Sequence, residues 1–147
     1  MNHAEAMPAH ADSDEEIASC YDVMAQLRPH IGREEFVPLV RRMQGDGFRL
    51  ACIRAGGRVV AVAGYRLSTN LFCGYNLYVD DLVTAETERS KGYGKELLAW
   101  LRDIAVEKGC RAFHLDSGVQ RKRAHEFYRR EGLGLSSYHF SVRLPGR

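Results

Sequence analysis

The chain has 147 residues, of which 45% are apolar and 27% charged, the ordinary balance of one globular domain with a single core. Its longest apolar run, VVAVAG at 59–64, is far too short to cross a bilayer, and its N-terminus lacks the basic start and apolar stretch of a signal peptide. We therefore expect a cytoplasmic protein with no membrane partner. The four cysteines show no C-x-x-C spacing, so we expect reduced thiols and no metal.

The N-terminal third predicts a tail followed by two helices. Residues 1–12 are expected to be a flexible polar tail, and residues 13–147 a single domain. Ser13 and Glu16 have the spacing of a capping box, which predicts a helix that carries Ile17, Tyr21, Met24 and Leu27 on one face. The same period predicts a second helix over roughly 33–44.

The rest of the chain alternates between strand and helix periods. FRLACIRAGGRVVAVAGYRLS predicts a hairpin that turns at Gly56-Gly57, and FCGYNLYVDDLVT predicts one or two further strands. The helical period returns from Lys91 and ends at Gly109. RAFHLDSG predicts a short strand, RKRAHEFYRREG a helix that ends at Gly132, and SSYHFSVRL a closing strand. The predicted order is ααββββαβαβ, an α/β domain with a mixed sheet.

Charge is unevenly distributed along the chain, although its net value is only +2. Residues 1–86 carry 8 Lys+Arg against 12 Asp+Glu, whereas residues 87–147 carry 13 against 7. The basic second part suits an anionic ligand. Nucleic acid is not predicted as a partner, because no long basic run and no alternation of basic and aromatic residues is present.

The stretch ERSKGYGKELLAW, residues 88–100, is the strongest candidate for an anion site. Gly92 and Gly94 lie where a strand turns into a helix, and free backbone N–H groups at a helix start can bind phosphate. Arg89, Lys91 and Lys95 add positive charge. Neither a P-loop nor a dinucleotide fingerprint fits the spacing. The glycines alone are equally compatible with a helix start that binds no ligand.

The spacing that does fit is Arg-x-x-Gly-x-Gly, from Arg89 to Gly94. With DDLVT before it and HLDSG and AHEFYRREGL after it, the sequence resembles the GNAT superfamily of N-acetyltransferases over about residues 77–144. The resemblance implies a mostly antiparallel sheet flanked by helices and acetyl-CoA as co-substrate. It also implies that the turn binds the coenzyme pyrophosphate. Dimers are frequent in the family, so a homodimer is left open.

The resemblance also implies a set of coenzyme-binding residues. The thioester carbonyl and the pantetheine arm would be held by the main chain of Leu82, Val83 and Thr84. The pyrophosphate would be held by the turn residues Arg89, Ser90, Lys91, Gly92, Tyr93, Gly94 and Lys95. Further along the chain, the cleft would be lined or supported by Ser117, Ala124 and Phe127.

Transfer of an acetyl group to an amine needs a proton acceptor for the amine and a proton donor for the leaving thiolate. The resemblance places the hydroxyl of Tyr128 near the coenzyme sulfur, as general acid. The alternative is a core tyrosine packed beside Phe127. For the base the candidates are Asp80, Asp81 and water. Because adjacent strand residues face opposite sides, only one carboxylate is expected in the cleft, and Asp81 is taken as the catalytic candidate.

The function predicted is direct acetyl transfer from acetyl-CoA to a primary amine of a small molecule or peptide. A non-catalytic acyl-CoA sensor and a transferase for longer acyl groups remain alternatives. The adjacent carboxylates of Asp80 and Asp81 favour a cationic acceptor. Aminoglycoside-like, polyamine, amino-acid and peptide amines all stay open.

Overall fold

The computed structural model describes residues 6–146, which divide into a first unit that ends at Leu115 and a second that begins at Asp116. The strands of the first unit are β1 (Pro8–His10), β2 (Phe48–Ala55), β3 (Arg58–Asn70), β4 (Gly74–Thr84) and β5 (Ala112–Leu115). Its helices are α1 (Asp14–Ser19), α2 (Tyr21–Leu27), α3 (Arg33–Gln44) and α4 (Tyr93–Glu107), with a 3₁₀ turn at Glu86–Glu88.

The five strands form one sheet in the order β1-β2-β3-β4-β5. The first three pairings are antiparallel, and β4 pairs with β5 in parallel. The α4 helix buries Leu97 and Leu101 against one face of the sheet. The helices α1 to α3 cover the other face, where Ile17 and Phe36 are buried with Val62. The mixed, mostly antiparallel sheet flanked by helices is the fold that the sequence predicts.

The N-terminal helices follow their sequence signals with one difference. Ser13 caps α1 as predicted, since its Oγ accepts from the Glu16 N–H at 3.1 Å and Glu16 Oε1 accepts from the Ser13 N–H at 2.9 Å. The single helix predicted from Ser13 is divided at Cys20, because the Cys20 N–H donates to the Ile17 carbonyl and closes a tighter turn there.

A β-bulge interrupts β4 at Asp80. Gly64 of β3 pairs with Asp81 and the next residue, Tyr65, pairs with Val79, so Asp80 is an extra residue in the ladder. An extra residue shifts the alternation of a strand by one position. Asp80 and Asp81 therefore lie on the same face of the sheet, the one covered by α1 to α3. The expectation that only one of them enters the cleft is wrong, because it assumed an uninterrupted strand.

Three further details differ from the predicted order. Pro8–His10 form an edge strand within the stretch expected to be a loose tail, whereas residues 1–5 lie outside the described residues. The stretch FCGYNLYVDDLVT, predicted as one or two strands and counted as two in the predicted order, contributes one strand, β4. SSYHFSVRL, residues 136–144, forms no strand. Its apolar alternation is present, but a strand also needs a neighbouring backbone to complete its hydrogen bonds. The division into a tail and a single domain 13–147 stays a prediction.

The second unit contains one helix, α5 (Lys122–Arg130), among its described residues. The helix ends as predicted before Gly132, which has a φ of +89°, and the Leu133 N–H donates to the Tyr128 carbonyl at 2.9 Å. Residues 133–146 form neither helix nor strand. Apart from the partly buried Leu133, the large apolar side chains of this segment are exposed, among them Tyr138, Phe140, Val142 and Leu144.

Candidate active site

The glycine turn after β4 has the backbone shape that its sequence predicts. Gly92 is the N-cap of α4, and its φ of +87° lies in the left-handed region. Ser90 also has a positive φ, of +70°, which is uncommon outside glycine and costs on the order of 1 kcal/mol or more. Because α4 is 15 residues long and its first N–H groups have no intrahelical partner, the turn can accept an anion.

A buried carboxylate that sequence reasoning missed lies beside this turn. Glu88 accepts from Arg58 at 2.8 Å and pairs with Lys91, although its side chain is only 9% exposed. The pairing with Lys91 lowers the pKa of Glu88 and raises the pKa of Lys91. One predicted phosphate-binding cation, Lys91, is thus already paired, although it is exposed like Arg89 and Lys95. Nothing in the sequence pattern distinguishes Glu88 from a surface glutamate.

Tyr93 and Gly94, unlike the other residues of the turn, are not exposed. Tyr93 begins α4, and its side chain is buried in the core on that face of the sheet. Only its backbone is therefore available to a ligand at the turn. Gly94 follows as the second residue of the helix and is partly buried. Ser90 and Gly92 are exposed, so the backbone of the turn is accessible there beside the exposed cations.

The last residues of β4 form an edge of the sheet on one side. The parallel ladder with β5 covers only Asn76 to Val79, whereas the ladder with β3 continues through Leu82, Val83 and Thr84. Beyond Val79, β4 has no ladder partner on its β5 side among the described residues. The backbone there can therefore form hydrogen bonds with an extended ligand, in the manner of an added strand.

A cavity of about 590 Å³ lies between α2, α3 and the sheet. Its walls include the apolar side chains of Phe36, Leu39 and Met43. Asp80 and Asp81 both line it, together with Arg28, His30, Arg66 and Tyr78. The bulge therefore brings the two candidate bases into one cavity.

Each of these carboxylates has an arginine partner. Arg28 donates through Nε to Asp81 Oδ1 at 2.7 Å, and Arg66 donates through Nε to Asp80 Oδ2 at 2.9 Å. Arg28 also donates to the Asp80 carbonyl at 3.1 Å. Neither arginine was predicted, since an isolated arginine on a helix or strand carries no signal of its partner. The pair of carboxylates is thus balanced by two guanidinium groups.

Gly64 makes room for this arrangement. It pairs with Asp81 across the bulge, and a side chain there would collide with the Phe48 ring and lie 3.0 Å from Asp81 Oδ2. The Asp81 side chain is only 12% exposed. Burial raises the pKa of Asp81 above its ordinary value of 3.8, although the hydrogen bond from Arg28 opposes the shift. Asp81 is therefore a more basic carboxylate than an exposed aspartate.

The second unit contains the remaining predicted site residues. Tyr128 and Phe127 lie side by side on α5, with ring centroids 5.4 Å apart, and both are partly buried, as is Ala124 one turn before Tyr128. Burial raises the pKa of Tyr128 above its ordinary value of 10.0, and Arg121 opposes the shift. The Ser117 hydroxyl is buried without a hydrogen-bond partner among the described residues. A buried polar atom in that state suits a ligand that supplies the missing partner.

The described part of the chain has neither a metal-binding cluster nor a membrane-spanning helix. Residues 6–146 contain no cluster of three or more histidine, cysteine, aspartate or glutamate side chains arranged to hold a metal ion. No described helix has the length and apolar character needed to cross a membrane. The four cysteines are free thiols, of which Cys20 and Cys52 are buried.

Comparison with known proteins identifies the family. The sequence model of the Acetyltransferase (GNAT) family matches residues 15–134. Over 130 residues the chain is 35% identical to the uncharacterized N-acetyltransferase YhdJ of Bacillus subtilis (strain 168), a match that covers 87% of this chain and 92% of that protein. The chain therefore belongs to the GNAT family of acetyltransferases.

Solved structures show the same fold. The chain is similar to a transcriptional regulator from Bacillus halodurans C-125, with a TM-score of 0.84, 19% identity, and coverage of 94% of this chain and 99% of that one. It is also similar to the aminoglycoside N-acetyltransferase AAC(6')-Iy in complex with CoA, with a TM-score of 0.80, 14% identity and coverage of 95% and 93%. The prediction of an N-acetyltransferase that uses acetyl-CoA is thus confirmed.

Proposed function

We propose that this N-acetyltransferase moves the acetyl group directly from acetyl-CoA to a primary amine bound in the cavity at Asp80 and Asp81. The observation that carries the proposal is the course of the chain from β4 into α4. The unpaired edge of β4 leads through the 3₁₀ turn Glu86–Glu88 to the left-handed residue Gly92, so one continuous stretch of chain offers backbone donors to an extended, phosphate-bearing ligand.

The residues of this stretch fit acetyl-CoA, which supplies the activated thioester. Leu82, Val83 and Thr84 would hold its pantetheine arm and carbonyl through their main chain. The turn from Arg89 to Lys95 would hold the pyrophosphate through backbone N–H groups and exposed cations. Ser117, Ala124 and Phe127 belong to the second unit, and only the resemblance to the family supports a role for them in coenzyme binding.

Asp81 is the proton acceptor that the geometry favours. Its carboxylate lines the cavity, and its raised pKa makes it a better acceptor for the proton of an ammonium group, either directly or through water. Asp80 lines the same cavity and would attract the ammonium group. Arg28 and Arg66 would hold the two carboxylates in place through their hydrogen bonds.

Tyr128 is the proposed proton donor to the leaving thiolate. Burial raises the pKa of its phenol, so the hydroxyl stays protonated at neutral pH and can donate. The role of Tyr128 is a prediction that the resemblance to the family supports. Its place on α5 beside Phe127 leaves the packing role open until it is tested.

Calorimetric titration of acetyl-CoA into the full chain tests the first step of the proposal. Wild type is expected to bind with micromolar affinity. Arg89→Glu should weaken binding at least about tenfold, because a carboxylate would replace an exposed cation at the turn. Arg42→Glu makes the same change of charge on the exposed face of α3 and should bind like wild type. If wild type does not bind acetyl-CoA, the proposal falls.

A thiol-release assay with a panel of primary amines tests the second step. Release that depends on the amine supports direct transfer. Tight binding without release from any amine would favour a sensor, and faster release from longer acyl-CoA would favour a longer-chain transferase.

We further propose the cytoplasm as compartment. Homodimer formation stays a prediction, which sedimentation analysis would settle.

A further inference from the structure

The cavity of the first unit has two chemically distinct sides. One side is apolar and is formed by residues of α2, α3 and β2, including Met24, Phe36 and Met43. The other side is polar and is formed around the bulge of β4. Such a division fits a ligand with a polar head and an apolar body. The volume of about 590 Å³ falls within the range of small-molecule sites.

The polar side is balanced in charge. It presents the carboxylates of Asp80 and Asp81, each hydrogen-bonded to an arginine at 2.9 and 2.7 Å. A polycation placed there would meet two guanidinium groups at close range, and a second ammonium group would be repelled by them. The preference for a cationic acceptor rested on the two adjacent aspartates alone. Their arginine partners favour, among the amines left open, one with a single ammonium group.

The arginines keep hydrogen-bonding capacity toward the cavity. A guanidinium group has five N–H donors. Arg66 uses its Nε on Asp80, and Arg28 uses Nε on Asp81 and Nη2 on the Asp80 carbonyl. Their side chains are 35% and 41% exposed, so the remaining donors of both are accessible to a ligand. These donors suit the planar or tetrahedral oxygens of an anionic group.

We propose that the acceptor is a zwitterion that carries a carboxylate or a phosphonate beside its primary amine, and an apolar side chain. Its ammonium group would lie against Asp80 and Asp81, its anionic group against Arg28 and Arg66, and its side chain against the apolar side of the cavity. That the bound zwitterion is the acetyl acceptor rests on the proposed function. The binding that it describes can be measured without acetyl-CoA.

The test is an NMR titration of the full chain with four matched probes. L-Norleucine carries amine, carboxylate and apolar chain, 1-aminopentane lacks the carboxylate, and hexanoate lacks the amine. 1-Aminopentylphosphonate replaces the carboxylate by a phosphonate. At least one zwitterion should bind at least about tenfold tighter than either half-molecule, the factor that one charge-assisted contact provides. The stronger of the two zwitterions identifies the anionic group.

Variants assign the anionic group to the arginines. Arg66→Gln keeps a donor for Asp80 and should abolish the advantage of the zwitterion over 1-aminopentane, and Arg28→Gln should reduce it. Arg41→Gln is the matched control, because Arg41 is an arginine of α3 that pairs with Asp14 and does not line the cavity. The control should retain the full advantage, which separates loss of the anion contact from general destabilisation.

The outcomes distinguish this inference from the proposed function. The inference is overturned if neither zwitterion binds tighter than 1-aminopentane, or if no probe binds. Tighter binding of spermidine, added as a fifth probe, than of either zwitterion would also overturn it. If acetyl-CoA binds and 1-aminopentane releases thiol as efficiently as both zwitterions, the function stands and the zwitterion does not. If acetyl-CoA fails to bind while norleucine shifts the cavity resonances, the proposed function falls and the zwitterion site stands.

Discussion

The ionisation of Asp81 is subject to two opposing effects in the cavity. Its burial opposes ionisation, whereas the hydrogen bond from Arg28 favours it, and the burial is the larger effect. Because the pKa is raised in the folded chain, the folded state holds the proton more tightly than the unfolded state. The protonated form of Asp81 therefore favours the folded state. This stabilisation is complete below pH 3.8 and is lost as the pH rises through the pKa of Asp81 in the folded chain.

The variant Asp81→Asn is therefore expected to gain stability relative to wild type as the pH rises. Near pH 3 the side chains at position 81 are neutral in both chains, and toward pH 7 only the wild type carries a buried charge at that position. Urea denaturation of both chains between pH 3.5 and 7.5 measures the difference in the free energy of unfolding. Asp46→Asn, an exposed aspartate after α3, serves as control. A difference that shrinks with pH would mean that Arg28 outweighs the burial.

Tyr128 is the second residue whose role depends on its protonation. Tyr128→Phe removes the hydroxyl and keeps the ring, so packing beside Phe127 is preserved. If the hydroxyl donates to the leaving thiolate, kcat should fall about 10²- to 10⁴-fold while the acetyl-CoA Kd is unchanged. Steady-state kinetics and calorimetry measure the two quantities. Tyr138→Phe, at an exposed tyrosine of the second unit, should behave like wild type. Unchanged turnover would leave Tyr128 with a packing role.

The start of α4 depends on backbone conformation more than on side chains. An added Cβ at Gly92 would meet no atom within 4 Å, so space does not explain the glycine there. The glycine is explained by its φ of +87°, because residues with a side chain are destabilised in the left-handed region. The element that would bind phosphate is thus held in shape by one residue that has no side chain.

Gly92→Ala is expected to lower the free energy of unfolding by about 1–2 kcal/mol. Gly134→Ala is the matched control, because Gly134 also has no neighbour within 4 Å and does not have a positive φ. It should leave stability unchanged or raise it slightly. Chemical denaturation measures both. A loss of equal size in the two variants would show that the left-handed conformation is not the cause.

Elements with local signals were predictable, and those that depend on distant partners were not. The Ser13 cap, the Gly56-Gly57 turn and the start of α4 follow from residues close together in the sequence. The strand predicted over 136–144 is absent, since its pattern does not supply a ladder partner. Arg28 pairs with Asp81 across 53 positions, and no motif links the two. The candidate acceptor cavity was therefore beyond sequence reasoning, whereas the candidate coenzyme turn was not.

Over the whole of the described chain, the two units differ in how much of their backbone is hydrogen-bonded in strand ladders. The first unit pairs all five strands, whereas residues 133–146 of the second have no ladder. Amide protons without partners exchange rapidly with solvent. Hydrogen exchange followed by mass spectrometry should therefore show rapid exchange over 136–144 and slow exchange in the centre of β3. Slow exchange over 136–144 would show that this segment forms a strand in solution.

The bulge in β4 also bears on how this sequence could change over time. In a regular strand, loss of one residue turns every following side chain to the opposite face. Here Asp80 is the surplus residue, so its deletion would restore the regular ladder and leave Leu82 and Val83 on their present faces. Lineages could thus lose or regain one cavity carboxylate through a single-codon deletion or insertion, with the rest of the sheet unaltered. Acceptor preference in such relatives would change with the length of this strand as well as with its composition.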